Sequence, residues 1–195
     1  AASQAGVINI ITQKNTNGLF ANAEYAGTDY TLNGSFGTSV ENISVNFDVF
    51  YETDNSQSLL VNTTEIDKKT LQSIAFSINN QLSASSKIST FYTFNNLNQD
   101  LDNSTTDDLN YVVDSNQHLG SIQHDWSFNS KVYSNFGYTK TFTKRDYINT
   151  PDSATDVNER VASFESNIDK VFVNTQLKLN AKNNILYGVD LISET

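Results

Sequence analysis

The sequence contains no cysteine, no methionine and a single proline among its 195 residues. The absence of cysteine excludes a disulfide framework and a thiolate metal site in this chain. The absence of methionine leaves no initiator residue, so we expect a processed chain or an internal piece of a longer one. Ala1 to Gly6 have neither a basic start nor an apolar stretch, so any targeting segment has been removed or lies upstream.

Long apolar runs are also missing, and no stretch approaches the ~20 residues of a membrane helix. Hydrophobic residues make up 37% and charged residues 17% of the chain, both below the usual globular shares. Asparagine, serine and threonine fill the gap. These residues disfavour helices because they hydrogen-bond locally to the backbone, so the composition predicts a fold without long helices.

Basic residues are few, 12 against 22 acidic ones, which gives a formal net charge of −10. Such a chain is poorly suited to bind phosphates, so no nucleic-acid partner is expected. Many of the acids fall in predicted loops, where solvation and mutual repulsion are sufficient to explain them.

What the sequence does contain is a regular alternation of apolar and polar residues. It is cleanest from Asn42 to Tyr51, where every second side chain is apolar, and this period of two is that of a β-strand. Nine such segments predict nine strands, at 19–25, 29–38, 42–51, 70–82, 87–97, 117–127, 131–144, 168–179 and 185–193.

Two features favour a membrane barrel over a soluble sandwich. The predicted strands are mostly about nine to fourteen residues long, whereas soluble strands centre on about six and a tilted bilayer crossing needs about nine to eleven. Short connections at 39–41, 83–86, 129–130 and 181–184 alternate with long ones at 52–69, 98–116 and 145–166. Outer-membrane barrels have the same alternation, with short periplasmic turns and long extracellular loops.

Aromatic residues are placed in a way that suits this interpretation. Trp126 lies beside a short turn, where a periplasmic-side girdle residue is expected. Tyrosines near the outer strand ends are typical of an interfacial girdle, although the general preference of tyrosine for strands explains them equally well. These tyrosines are Tyr25, Tyr30, Tyr51, Tyr92 and Tyr138.

The first fourteen residues resemble the end of the plug domain of TonB-dependent outer-membrane receptors. In that family a glycine-rich approach and the pattern Gly-Val-(Ile/Val)-Asn-Ile-Ile-Thr, followed by a basic residue, close the plug before the first barrel strand. Gln13 and Lys14 follow the motif here, and Ala5 stands where many members have a second glycine. Residues 184–190 are similar to a strand that these barrels often carry. The motif residues are Gly6, Val7, Ile8, Asn9, Ile10, Ile11 and Thr12.

The resemblance implies an all-β fold. Residues 1–14 would be the C-terminal end of a plug, and residues 15–195 the N-terminal part of an antiparallel transmembrane β-barrel with about nine strands in an open sheet. The family's barrel has about 22 strands around a plugged lumen, so most of the plug, the TonB-contacting segment and the closing strand would be missing. We expect such a piece not to insert and function alone, because hydrocarbon does not tolerate open sheet edges.

The same resemblance implies a location in the cell outer membrane. The implied partners are outer-membrane lipid, the TonB energy-transducing complex and a scarce small-molecule ligand such as a ferric siderophore, haem or a cobalamin. No cofactor or metal is predicted, and no enzyme activity is expected because no catalytic arrangement is evident.

Several polar residues are candidates for binding a metal or another ligand. His118 and His124 lie six apart on one predicted strand and face the same side, too far apart for a metal pair without a third ligand. Polar lumen or interface histidines are the simpler interpretation, and a haem ligand is the alternative. Lys144 and Arg145 begin the third long loop as a solvated pair, or meet an anionic ligand or outer-leaflet sugar phosphates. Asn9 should hydrogen-bond neighbouring plug backbone.

Two groups of acidic residues are candidate calcium sites, because oxygen-rich clusters can hold Ca²⁺. Neither has the glycine-containing spacing of a calcium loop, so both are interpreted as solvated surface. One group is Asp100, Asp102, Asp107 and Asp108, and the other is Glu52, Asp54 and Asp67.

Three functions remain at the level of sequence. The first is a transport receptor of the family named above. The second is a secreted all-β adhesin or carbohydrate-binding module, which predicts strands nearer six residues and no one-sided long loops. The third is an outer-membrane barrel enzyme such as a lipase or protease, which needs a nucleophile, a histidine and an acid near one rim, and neither histidine is so placed.

Overall fold

The computed structural model describes residues 17–26, 28–57, 66–101, 110–151 and 159–195. The plug-like segment Gly6–Thr12, with Asn9, lies outside these ranges. The described residues include no helix that is long and apolar enough to cross a membrane. They form nine strands: β1 (Gly18–Ala26), β2 (Asp29–Val40), β3 (Ile43–Gln57), β4 (Ile66–Ser83), β5 (Ser86–Asp100), β6 (Val112–Ser127), β7 (Val132–Asn149), β8 (Arg160–Lys178) and β9 (Asn184–Glu194).

All nine strands belong to one antiparallel sheet, and each is hydrogen-bonded to its neighbours in sequence, in the order β1 to β9. This meander follows from the alternating sequence, because tight turns between two consecutive strands pair them antiparallel. The expected all-β fold, with nine antiparallel strands in one open sheet, is confirmed, and the sheet is consistent with a partial β-barrel.

The strands are longer than the alternation predicts. β4 and β7 have 18 residues each and β8 has 19. The long loops predicted at 52–69, 98–116 and 145–166 are therefore wrong at both ends, since β3 runs to Gln57 and β4 already begins at Ile66. Residues 52–55 and 67–69 are polar at consecutive positions, so no apolar period marks the strand there although the backbone ladder continues. From β2 onward, short connections still alternate with longer ones, since residues 41–42 and 84–85 are tight turns whereas residues 58–65 separate β3 from β4. The connection between β1 and β2 is an exception, because β1 ends at Ala26 and β2 begins at Asp29.

The cross-strand register defines two faces. Phe47 pairs with Phe36 on β2 and with Phe76 on β4, and Phe76 pairs with Tyr92 on β5. Because paired residues point to the same side, these positions and those two residues away share what we call the apolar face. The intervening positions, such as Asn46 on β3, form the polar face.

No second layer covers the apolar face within the described ranges. Among all the described residues, the buried hydrophobic residues are Tyr111 and Val113. Large apolar side chains are instead exposed along the sheet, Leu19 by 81% and Leu191 by 67%. In a soluble domain such a face commonly packs against another element, and within the described ranges no such element lies on it.

Candidate functional site: the two faces of the sheet

The apolar face carries a band of apolar side chains that has the same length on β3 and β8. On β3 every second residue from Ile43 to Tyr51 is apolar, and on β8 the band runs from Val171 to Leu179, with Thr175 as the one exception. Eight residue steps at about 3.3 Å span roughly 26 Å along a strand. Inclined by about 40°, this run covers roughly 20 Å of height, close to the ~25 Å apolar band of outer-membrane barrels.

From β2 to β8, the apolar band shifts toward the short-turn ends of the strands, relative to the rows of hydrogen-bonded cross-strand partners. The row of cross-strand partners that starts at Tyr30, the top of the band on β2, reaches β8 at Ser163. On β8 the band begins only at Val171, eight residues closer to the short turn.

The short turns descend in the same direction. The row that starts at Val40, beside the first short turn, reaches β8 at Val173, whereas β8 ends at Lys178. Over the six strand steps from β2 to β8, the band and the turns together shift by about one residue per strand. With strands ~4.8 Å apart, this stagger corresponds to a tilt of roughly 35–40°, in the range that barrel closure requires.

Above the band, the same face of β7 and β8 becomes charged, in a region we call the polar collar. Lys140 lies 3.5 Å from Asp169 (Nζ to Oδ1). Lys144 Nζ lies 3.4 Å from Asp146 Oδ2 and 3.9 Å from Glu165 Oε1. These side chains are at least partly exposed, so solvent screens each ion pair and the pairs contribute little to stability. The polar collar therefore belongs in water, and it marks where the strands leave the apolar band.

Hydrogen bonds tie the collar to the band beneath it. The hydroxyl of Tyr138 donates to Asp169. Higher on β7, a hydrogen bond from Ser163 and, more weakly, the ammonium of Lys144 hold the pKa of Asp146 below its ordinary value. Lys144 and Arg145 lie within β7 rather than in a loop, so that prediction is wrong, and they point to opposite faces.

The five predicted girdle tyrosines divide into two groups. Tyr25 and Tyr30 pair with each other at the β1–β2 turn, as expected for strand ends. Tyr51, Tyr92 and Tyr138 lie within longer strands, so their predicted place at strand ends is wrong, but each lies near the top of the apolar band. The rings of Tyr30 and Tyr51 stack at 5.6 Å, and their hydroxyls are 3.4 Å apart.

Aromatic rings also gather at the lower border. Trp126 stacks on Phe128 with ring centroids 4.4 Å apart, and on His124 at 5.8 Å. Trp126 lies near the short connection between β6 and β7, as the sequence predicts. An indole at this border can bury its ring in lipid and keep its N–H near water.

Both histidines lie on the apolar face, on the same side of β6, as predicted. His124 Nε2 lies 2.7 Å from Ser86 Oγ, and His118 Nδ1 lies 2.8 Å from the hydroxyl of Tyr92. His118 also packs against Phe94 at 4.8 Å. Each histidine thus has a separate partner, and neither points to the polar face. Among the described residues, no group of three or more histidines and acids is arranged to hold a metal ion.

The acids considered for calcium are dispersed along paired strands. Glu52 accepts a hydrogen bond from Lys69 at 3.0 Å, and Asp100 accepts one from the backbone N–H of Lys68, also at 3.0 Å. Asp54 lies in β3 and Asp67 in β4. These residues belong to strands rather than to the predicted loops. Asp102, Asp107 and Asp108 lie outside the described residues.

The polar face is held by hydrogen bonds between neighbouring strands. Asp125 accepts from Tyr133 at 2.7 Å, from Asn135 at 2.6 Å and from Gln123 at 3.0 Å. The alternation marks these positions as polar, but only the register brings them together, so the sequence alone did not reveal the cluster. Further cross-strand bonds join Ser73 to Asn95, Ser89 to Asn79 and Asn46 to Ser77.

No protein-family model, curated protein or solved structure matches the chain. The function is therefore inferred from the two faces of the sheet, from their borders and from the motif in the first fourteen residues.

Proposed function

We propose that this chain forms part of the barrel wall of a TonB-dependent outer-membrane receptor that takes up a scarce ligand, such as a ferric siderophore, haem or a cobalamin. The observation that carries the proposal is the uncovered apolar band, with its charged collar and its register drift of about one residue per strand. The motif Gly6–Thr12, which resembles the end of a plug, narrows the proposal from a membrane barrel to this family.

In this proposal the apolar face contacts outer-membrane lipid and the polar face lines a water-filled interior. The polar collar and the longer connections then lie outside the cell, and the short turns lie in the periplasm. The role is uptake rather than catalysis, with energy supplied through the TonB complex. Ligand contacts are assigned to the longer connections and to the plug.

A secreted adhesin or carbohydrate-binding sandwich is the competing function. It would need a second sheet packed on the apolar face, and the described residues form a single sheet. Strands of 15 to 19 residues in β3 to β8 are also far longer than the ~6 residues typical of soluble strands.

Growth and uptake test the proposal. Deletion of the gene in the source organism should abolish growth on one particular siderophore, haem or cobalamin source when that nutrient is limiting, and the complete gene should restore it. Restoration should fail when the TonB complex is removed. The protein should fractionate with the outer membrane. Normal uptake of every such ligand by the deletion strain, or recovery of the protein in the soluble fraction, would contradict the proposal.

A further inference from the structure

The sequence contains two arginines, Arg145 and Arg160, and both lie on the polar face near the upper ends of β7 and β8. Arg145 pairs with Phe164 on β8, and Arg160 pairs with Asn149 on β7. Arg145 points away from its neighbour Lys144, and positions two residues apart share a face, so Arg145 and Arg160 face the same side. At about 3.3 Å per residue, the two positions are roughly 13 Å apart along the strands.

An aromatic pair lies between the two arginines. The ring of Tyr147 packs edge-on against that of Phe164, with centroids 6.0 Å apart, and Phe164 is 60% exposed. Cζ of Arg160 lies 5.9 Å from the ring centroid of Tyr111, which is buried. This surface, formed by Arg145, Tyr147, Arg160 and Phe164, is the arginine–aromatic patch. It offers an exposed aromatic ring with a guanidinium on either side.

The sheet does not neutralise the positive charge of the patch. Arg145 is exposed, and no hydrogen bond or ion pair joins its guanidinium to another described residue. The acids at the same height, Asp114, Asp146 and Glu165, occupy the alternate positions and point to the opposite face. In a chain of formal net charge −10, this part of the polar face is therefore locally cationic and available to an anion from outside. The neighbours of Arg145 on this face are uncharged, namely Ser115, Gln117, Thr143, Tyr147, Phe164 and Ser166.

We infer that the arginine–aromatic patch binds an anionic ligand built from aromatic rings, the ferric complex of a catecholate chelator. Guanidinium groups bind anionic oxygens through charge-assisted hydrogen bonds, and an exposed aromatic ring packs edge-on or offset against another ring. In a ferric tris-catecholate, negatively charged oxygens bonded to aromatic rings surround the iron on every side. Such a complex can contact both arginines while one of its rings packs against Phe164.

The other two ligand classes fit the patch less well. Haem presents its two carboxylates from one edge of the macrocycle, so it cannot place one on each side of the aromatic pair. Cyanocobalamin has no net negative charge and would leave both guanidiniums without an anionic partner. The inference rests on the proposed function in treating the polar face as the inner wall, and it narrows the scarce ligand to one chemical class.

Calorimetric titration of the complete gene product in detergent tests the inference with three probes: a ferric tris-catecholate, haem and cyanocobalamin. We expect the ferric tris-catecholate to bind most tightly. Arg145→Gln should raise its Kd about tenfold or more, and Phe164→Ala about threefold to tenfold. Lys144→Gln is the matched control, because it removes the same charge from the adjacent residue on the opposite face, and it should change Kd by less than about twofold. The heat-induced shift in gel mobility shows that each variant is folded.

The inference is overturned if the ferric tris-catecholate does not bind, if haem or cyanocobalamin binds more tightly, or if Arg145→Gln and Lys144→Gln have the same effect. Uptake separates this result from the proposed function. A protein that takes up cobalamin through the TonB complex would keep the proposed function and sink the assigned ligand class. Arg145-dependent binding of the ferric tris-catecholate, without any uptake that requires the TonB complex, would contradict the proposed function alone.

Discussion

The ring of Phe172 on β8 covers the backbone of Gly137 on β7. The two residues are cross-strand partners, and a Cβ added to Gly137 would lie 2.8 Å from Cζ of the ring and 2.5 Å from the carbonyl oxygen of Ile122. The glycine thus leaves room for an aromatic side chain to lie flat along the polar face, an arrangement that pins the register of two long strands.

Gly137→Ala should therefore destabilise the protein by about 1–3 kcal/mol, because a backbone oxygen cannot move away cheaply. Gly120→Ala is the matched control, since its added Cβ would meet nothing closer than Tyr92 Cδ2 at 4.0 Å. Urea unfolding in detergent measures both. Equal midpoints for the two variants would show that the packing of Phe172 does not restrict position 137.

The single tryptophan reports depth in the membrane. Trp126 lies at the lower border of the apolar band, so in liposomes its fluorescence should be quenched more by lipids brominated near the glycerol than by lipids brominated near the chain end. The control is Ile148→Trp in a Trp126→Phe background. Ile148 lies on the same face above the polar collar, and a tryptophan there should be quenched weakly by both lipids. Similar quenching at the two positions would argue against the band as the membrane contact.

The Asp125 cluster should contribute to stability. Asp125→Ala leaves the donors of Tyr133, Asn135 and Gln123 without their acceptor, so we expect a loss of about 1–3 kcal/mol in the free energy of unfolding. Asp54→Ala, on the same face but without a hydrogen-bonded partner among the described residues, should change it by less than about 0.5 kcal/mol. A loss of similar size in both variants would point to a general effect of charge.

The bond between Tyr138 and Asp169 should be measurable as a coupling. A double-mutant cycle of Tyr138→Phe and Asp169→Asn is expected to give about 0.5–1.5 kcal/mol, the range of a single hydrogen bond. The additional contact of Asp169 with Lys140 is exposed, so its contribution should shrink as salt is raised. A coupling near zero would mean that the border of the band is not fixed by this pair.

The strand count and the turn positions could be predicted because the apolar residues of one face repeat with a period of two along each strand. From Asn42 to Tyr51 that period alone is sufficient. The upper ends of β6 to β8, residues 112–116, 145–149 and 160–167, could not be predicted. Polar and charged residues such as Asp146 and Glu165 replace apolar residues there, and nothing in the pattern distinguishes strand from loop.

The candidate sites were harder to predict than the fold. Asp125 and its donors are scattered over positions 123–135, and their convergence depends on a register that single-sequence periodicity does not specify.

The last strand has a practical consequence for anyone who produces this chain. All eleven residues of β9 are exposed, and large aliphatic groups project from both of its sides, with Leu186 exposed by 75% on the polar face and Leu191 by 67% on the apolar face. It contains neither proline nor lysine, the residues that commonly discourage intermolecular pairing. If the chain is produced without detergent, this exposed strand is expected to promote fibrous aggregation. Recovery from inclusion bodies is therefore the expected route to purified protein.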